Sequence, residues 1–171
     1  MTGYDEHECR DLTDGFAVYV GTGKYVVASH PKVLVTQALG SCIGVTMFDP
    51  FRHTGGLAHV MLPSPADTAF QGTLDRFASY AVPRMAEMLS EGGARRRLVA
   101  KVIGGASMFT GDIRFTGIGD RNAEEVRRQL ALLMIPVLAE DTGGSHARTV
   151  ELHLDTGLVV VRSYLYGMKE L

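Results

Sequence analysis

The stretch from Gly40 to Leu62 narrows the possible folds more than any other. A Gly40-Ser41 break precedes Cys42 and an apolar run, Ile43 to Phe48, whose Val, Ile, Thr and Phe content favours a strand. Asp49-Pro50-Phe51-Arg52 follows, with Asp first and Pro second, the placement that presets the dihedrals of a type I turn. A second apolar run, Gly56 to Leu62, then leads back. Two such runs around a turn predict a β-hairpin.

With Pro50 and Phe51 at the tip, Cys42 falls opposite His59. A longer tip that shifts the pairing by two residues keeps both side chains on one face, because strand side chains alternate; a one-residue slip separates them. Directly opposed residues have Cβ atoms roughly 4.5 to 5.5 Å apart and diagonal ones roughly 7 to 8 Å, so a thiol and an imidazole are within reach of each other in either register.

The rest of the chain fits around this hairpin. At 171 residues with 46% hydrophobic and 21% charged content, the sequence is that of an ordinary soluble domain with enough apolar residues for its own core. A net charge of −2 argues against a general nucleic-acid footprint. The two cysteines, Cys9 and Cys42, show no paired spacing, which fits a reducing compartment. The first residues read as no signal peptide, and no apolar run approaches the ~18 residues of a membrane span, so the expected location is the cytoplasm.

Met1 to Gly15 is polar and acidic and reads as a flexible N-terminal arm, leaving 16–171 as a single domain. Glu6-His7-Glu8-Cys9 lacks the closing ligands of a metal site, so no metal or other cofactor is called for. Phe16 to Ala28 predicts two short strands around Gly21-Thr22-Gly23, and Val33 to Thr36 a third. Ser64 to Ala78 reads as a surface loop. A helix follows, with Ser79 as N-cap, Pro83 near its first turn, a stripe of Val82, Met85, Ala86 and Leu89, and Gly92-Gly93 as its stop. Leu98 to Ile103 is a strand running into Gly104-Gly105, which completes no phosphate-binding fingerprint. Asn122 to Met134 is the second helix, with Asn122 and Glu125 as a capping box and Val126, Leu130 and Leu133 as its buried stripe. Strands over Ile135 to Glu140, Thr149 to Leu154 and Leu158 to Tyr164 complete the chain, the last of these as its final strand. About eight strands and two helices predict a mainly antiparallel α+β domain.

A cysteine beside a histidine is the minimal thiol nucleophile. A free thiol with a pKa of about 8.5 is only slightly ionised at neutral pH, and an imidazole partner shifts the balance toward an ion pair. Thr36 supplies a hydroxyl to hold the other ring nitrogen, and backbone N–H groups at the turn around Cys42 are candidates for an oxyanion hole. The alternative is structural: free cysteines and lone histidines on apolar strands are commonly core residues. Spacing alone leaves both readings open.

Beyond spacing, Thr36-x-x-x-Gly40-Ser41-Cys42, the Asp49-Pro50 turn, Gly56-x-x-His59-x-Met61-Leu62-Pro63, Gly104-Gly105-Ala106-x-Met108-Phe109, Ile118-Gly119-x-Arg121-Asn122 and Glu140-Asp141-Thr142-Gly143-Gly144 together resemble the CheD family of chemoreceptor glutamine deamidases. The likeness runs from about Tyr19 to Arg162; the segment from Phe109 to Phe115 fits it loosely. It implies Cys42 as nucleophile, His59 as general base and Thr36 as the residue that orients His59. It also implies a sandwich with a mainly antiparallel sheet core and two or three helices packed outside, related to toxin-type cysteine deamidases. The implied partners are the cytoplasmic helices of methyl-accepting chemoreceptors, as substrate, and a CheC-type phosphatase. A non-catalytic docking module for that phosphatase and a cysteine protease are the rival readings.

Overall fold

Residues 16–65, 72–90, 97–108 and 117–171 are described by the computed structural model of the protein. The expected arm, the Gly92-Gly93 stop and the Phe109 to Phe115 segment lie outside them. Within them the order is β1 (Ala17–Tyr19), β2 (Tyr25–Ser29), β3 (Val33–Leu39), β4 (Ile43–Asp49), β5 (Thr54–Val60), α1 (Ala78–Leu89), β6 (Val99–Gly104), α2 (Ile118–Leu132), β7 (Val137–Thr142), β8 (Arg148–His153), β9 (Val159–Ser163) and β10 (Gly167–Glu170).

The strands form two five-stranded sheets, ordered β1-β3-β8-β9-β10 and β2-β5-β4-β6-β7. Among the described strands the β1–β3 and β6–β7 pairs are parallel and the rest antiparallel, so both sheets are mixed and mainly antiparallel. One apolar cluster lies between the sheets: Leu34, Leu39, Val150, Leu152 and Val161 from the first meet Phe48, Leu57 and Ile103 from the second. A separate cluster lies between the second sheet and the helices, where Val45, Met47, Ala58 and Val60 meet Ala81, Val82, Met85, Val126 and Leu130. The layers are therefore sheet, sheet, helices. This arrangement explains why every residue of β4 is buried: its two faces serve two different cores. Among the described residues no helix is long and apolar enough to cross a membrane.

Several elements differ from the sequence reading for identifiable reasons. The loop expected over Ser64 to Ala78 contains a short 3₁₀ turn, Leu74–Arg76, and ends where α1 begins at Ala78. Ser79 is inside α1, not its cap: Phe77 holds that position without a side-chain bond, and the Leu62 and Pro63 carbonyls accept the Ala78 and Ser79 N–H groups instead. Pro83 consequently sits within the helix rather than in its first turn. The second helix starts at Ile118, after Gly117 in the left-handed region, so Asn122 is already inside it and cannot cap it. The strand expected over Ile135 to Glu140 lies two residues later. A strand after Tyr164 was unexpected, and β10, whose residues are all exposed, carries no alternating apolar pattern to announce it.

The hairpin is present, with its register two residues from the tightest tip. Asp49 pairs with Thr54, so four residues form the loop. Asp49 Oδ1 accepts the N–H groups of Phe51 (2.9 Å) and Arg52 (3.2 Å), and His53 adopts φ 49°, so the Asp-Pro turn forms and then needs one left-handed residue to close.

Candidate active site

Thr36 and His59 meet at one end of the seam between the sheets, and Cys42 packs against the same inter-sheet cluster. Gly44 pairs with His59 across β4 and β5, so His59 is diagonal to Cys42, not directly opposite. Alternation keeps the two on one face. His59 shares the inter-sheet face of Leu57, and Cys42 packs half-buried against that same inter-sheet cluster.

Thr36 reaches the seam from the first sheet because β3 is interrupted. Its pairing with β8 shifts between Thr36 and Leu39, and Ala38 takes φ 58°. This bulge leaves Gln37 and Ala38 exposed while both Thr36 and Leu39 point inward. Leu39 fills the space over Gly44, where a Cβ would stand 2.8 Å from its Cδ1.

The hydrogen bonds fix the histidine tautomer. The Thr36 hydroxyl donates its one proton to the Val20 carbonyl at 2.8 Å. Its contact with His59 Nδ1, also 2.8 Å, must therefore have the ring nitrogen as donor. His59 is neutral with its proton on Nδ1, and Nε2 presents a bare lone pair. That atom is buried and has no hydrogen-bond partner. Burial lowers the His59 pKa to about 4 and raises that of the Cys42 thiol. Both shifts favour the neutral pair, so the resting form is thiol and imidazole rather than the ion pair anticipated from the sequence.

The backbone around the thiol is held from the neighbouring strand and helix. The carbonyls of Gly40 and Cys42 accept N–H groups of Ala106 (2.8 Å) and Gly105 (2.9 Å), and Ser41 O accepts Asn122 Nδ2 (3.0 Å). Gly104 makes this contact possible: it has φ 113°, and a Cβ there would stand 2.3 Å from the Cys42 carbonyl oxygen. The Gly104-Gly105 pair, unproductive as a phosphate loop, is the floor under Cys42. Asn122 was missed as a site residue because its position three before Glu125 suggested a cap.

The family model described as CheD chemotactic sensory transduction matches residues 61–163. The probable chemoreceptor glutamine deamidase CheD 2 of Geobacter metallireducens is 43% identical over 159 residues, which cover 90% of this chain and 98% of the relative. The chemoreceptor glutamine deamidase CheD of Thermotoga maritima is 46% identical over 145 residues, 84% of this chain and 89% of the relative. Among solved structures, that of Bacillus licheniformis hypothetical protein YfiH is similar with a TM-score of 0.48 and 16% identity, over 71% of this chain and 51% of the other.

Proposed function

The chain belongs to the CheD family, and from that premise we propose that it hydrolyses side-chain amides of glutamines on chemoreceptors through a Cys42–His59 thiol mechanism, with Thr36 orienting the imidazole. The observation that carries this reading is the Thr36–His59 hydrogen bond, which leaves Nε2 unprotonated and unpartnered on the face that Cys42 shares.

In the first half-reaction, His59 Nε2 takes the proton of Cys42 Sγ as the sulfur attacks the amide carbon. The tetrahedral oxyanion is met by N–H groups of the turn around Cys42. Collapse breaks the C–N bond, and Nε2–H gives its proton to the departing ammonia, leaving a thioester. In the second, Nε2 takes a proton from water, hydroxide attacks the thioester, the C–S bond breaks and the thiolate recovers the proton. The products are glutamate, ammonia and the original neutral pair. Proton transfer coupled to attack suits a resting state in which burial disfavours both ions.

The test is intact-mass analysis of a receptor cytoplasmic fragment incubated with the protein or with Cys42→Ala. The expected result is a gain of about one mass unit per modified glutamine with the wild type alone, because acyl transfer to water replaces NH2 by OH. Backbone fragments would indicate a protease. No mass change, together with Cys42-independent binding to a CheC-type phosphatase, would leave the docking module.

A further inference from the structure

We propose that Asn122 is a positioning residue for the reaction, one that sets the separation of Cys42 and His59 from the far side of the hairpin. This rests on the reading of those two as nucleophile and base. The β4–β5 ladder runs only as far as Ile43 and Val60, and Cys42 lies just beyond that last pair. At this open end Asn122, the fifth residue of α2, is completely buried. Its Nδ2 donates to the Ser41 carbonyl at 3.0 Å and to the Met61 carbonyl at 2.9 Å. The first belongs to the residue before Cys42, the second to the residue two after His59. One planar NH2 group thus ties the end of the nucleophile's strand to the end of the base's strand.

The amide orientation is not arbitrary. Both partners are carbonyl oxygens, so turning the amide over would set oxygen against oxygen twice. The arrangement is also costly, since Asn122 Oδ1 is left buried with no hydrogen-bond partner. An amide retained with half of its capacity unmet points to a requirement that lies outside packing. That requirement is geometric: Nε2 must come within hydrogen-bond reach of Sγ, and without the clamp the two carbonyl ends are free to spread.

A double-mutant comparison tests this without a receptor substrate. Alkylation of Cys42 by iodoacetamide is followed by peptide mass mapping in the wild type, Asn122→Ala, His59→Ala and the double variant, each first shown to unfold cooperatively. Should Asn122→Ala not fold, Asn122→Ser takes its place. In the wild-type background, His59→Ala should slow alkylation about tenfold or more at neutral pH, because the neutral imidazole takes the thiol proton as the sulfur attacks the electrophile. With Asn122 replaced, the same His59→Ala comparison should shrink to within about threefold. A purely structural role would leave the ratio unchanged, and an unchanged ratio in a folded variant overturns the proposal. A wild-type ratio near one overturns both it and the dyad reading. If the wild type releases no ammonia from receptor fragments yet the ratio collapses as expected, deamidation fails and the positioning role stands. In turnover, the Asn122 variant should lower kcat about 10- to 100-fold with KM little changed.

Discussion

Thr36→Val removes one oxygen and almost nothing else. Valine keeps the branched shape and the strand preference of threonine, so the bulge in β3 and the packing at the seam are retained. The lost oxygen served two buried groups, accepting from His59 Nδ1–H and donating to the Val20 carbonyl. Each of these left unpaired costs about 1–3 kcal/mol, so the variant should be destabilised by at least about 2 kcal/mol. The catalytic effect has a separate origin. Without its acceptor the imidazole is free to turn or to carry its proton on Nε2, the nitrogen that must be bare to receive the Cys42 proton. If the bond biases orientation and tautomer by about 1.5–3 kcal/mol, at about 1.4 kcal/mol per factor of ten its loss lowers kcat about 10- to 100-fold. Thr36→Ser keeps the oxygen and should stay within about threefold of wild type. The assay is the initial rate of ammonia release from a receptor fragment, below the unfolding temperature of every variant. A folded Thr36→Val protein with a wild-type kcat would remove Thr36 from the mechanism and reopen the tautomer assignment.

Cys42→Ala and His59→Ala should each reduce ammonia release to background, since a nucleophile and its base act as a unit; a His59→Ala enzyme with near-normal turnover would eliminate the general-base role. The acid limb of kcat/KM should fall near pH 4 rather than near 6.5, because His59 is the base only when neutral and burial holds its pKa at about 4. The same shift makes stability depend on pH. An unfolded histidine takes up a proton below about 6.5 while the folded one does not, so the contribution is intact above that pH and declines through the interval down to about 4, by about 3 kcal/mol in all, and His59→Gln should flatten this part of a denaturation series. Gly104→Ala should be far more damaging than Gly44→Ala in thermal unfolding and turnover. Its Cβ would meet the Cys42 carbonyl oxygen at 2.3 Å from a backbone at φ 113°, whereas at Gly44 the obstacle is a Leu39 methyl that can rotate away.

Local chemistry made the central hairpin and most of the strands legible. Ile43 to Phe48 carries strand composition, and Asp49-Pro50 carries turn chemistry that the fold uses through Asp49 Oδ1. What the turn residues do not encode is how many residues follow before pairing resumes, and here a left-handed His53 moved the register by two. The functional consequence is small because two is the strand period. A one-residue error would have sent His59 into the helix-side core with Ala58 and Val60.

Long-range contacts made the remainder illegible. Asn122 lies 81 residues from Ser41 and 61 from Met61, and its partners are main-chain oxygens, which every residue possesses. No side-chain pattern can announce such a bond, whereas a Glu three residues downstream announces a cap that the fold does not use. The ionisation state was hidden for the same reason. An adjacent imidazole favours a thiolate, but desolvation opposes both charges, and how much water the fold excludes depends on Val20, Thr36 and Leu39 arriving from the opposite sheet. Burial prevails here, so under the proposed mechanism the sulfur gives up its proton to His59 only as it attacks an electrophilic carbon. A thiol protonated until that moment reacts more slowly than a standing thiolate, and under the proposed mechanism the imidazole sets its rate toward any electrophile that reaches it.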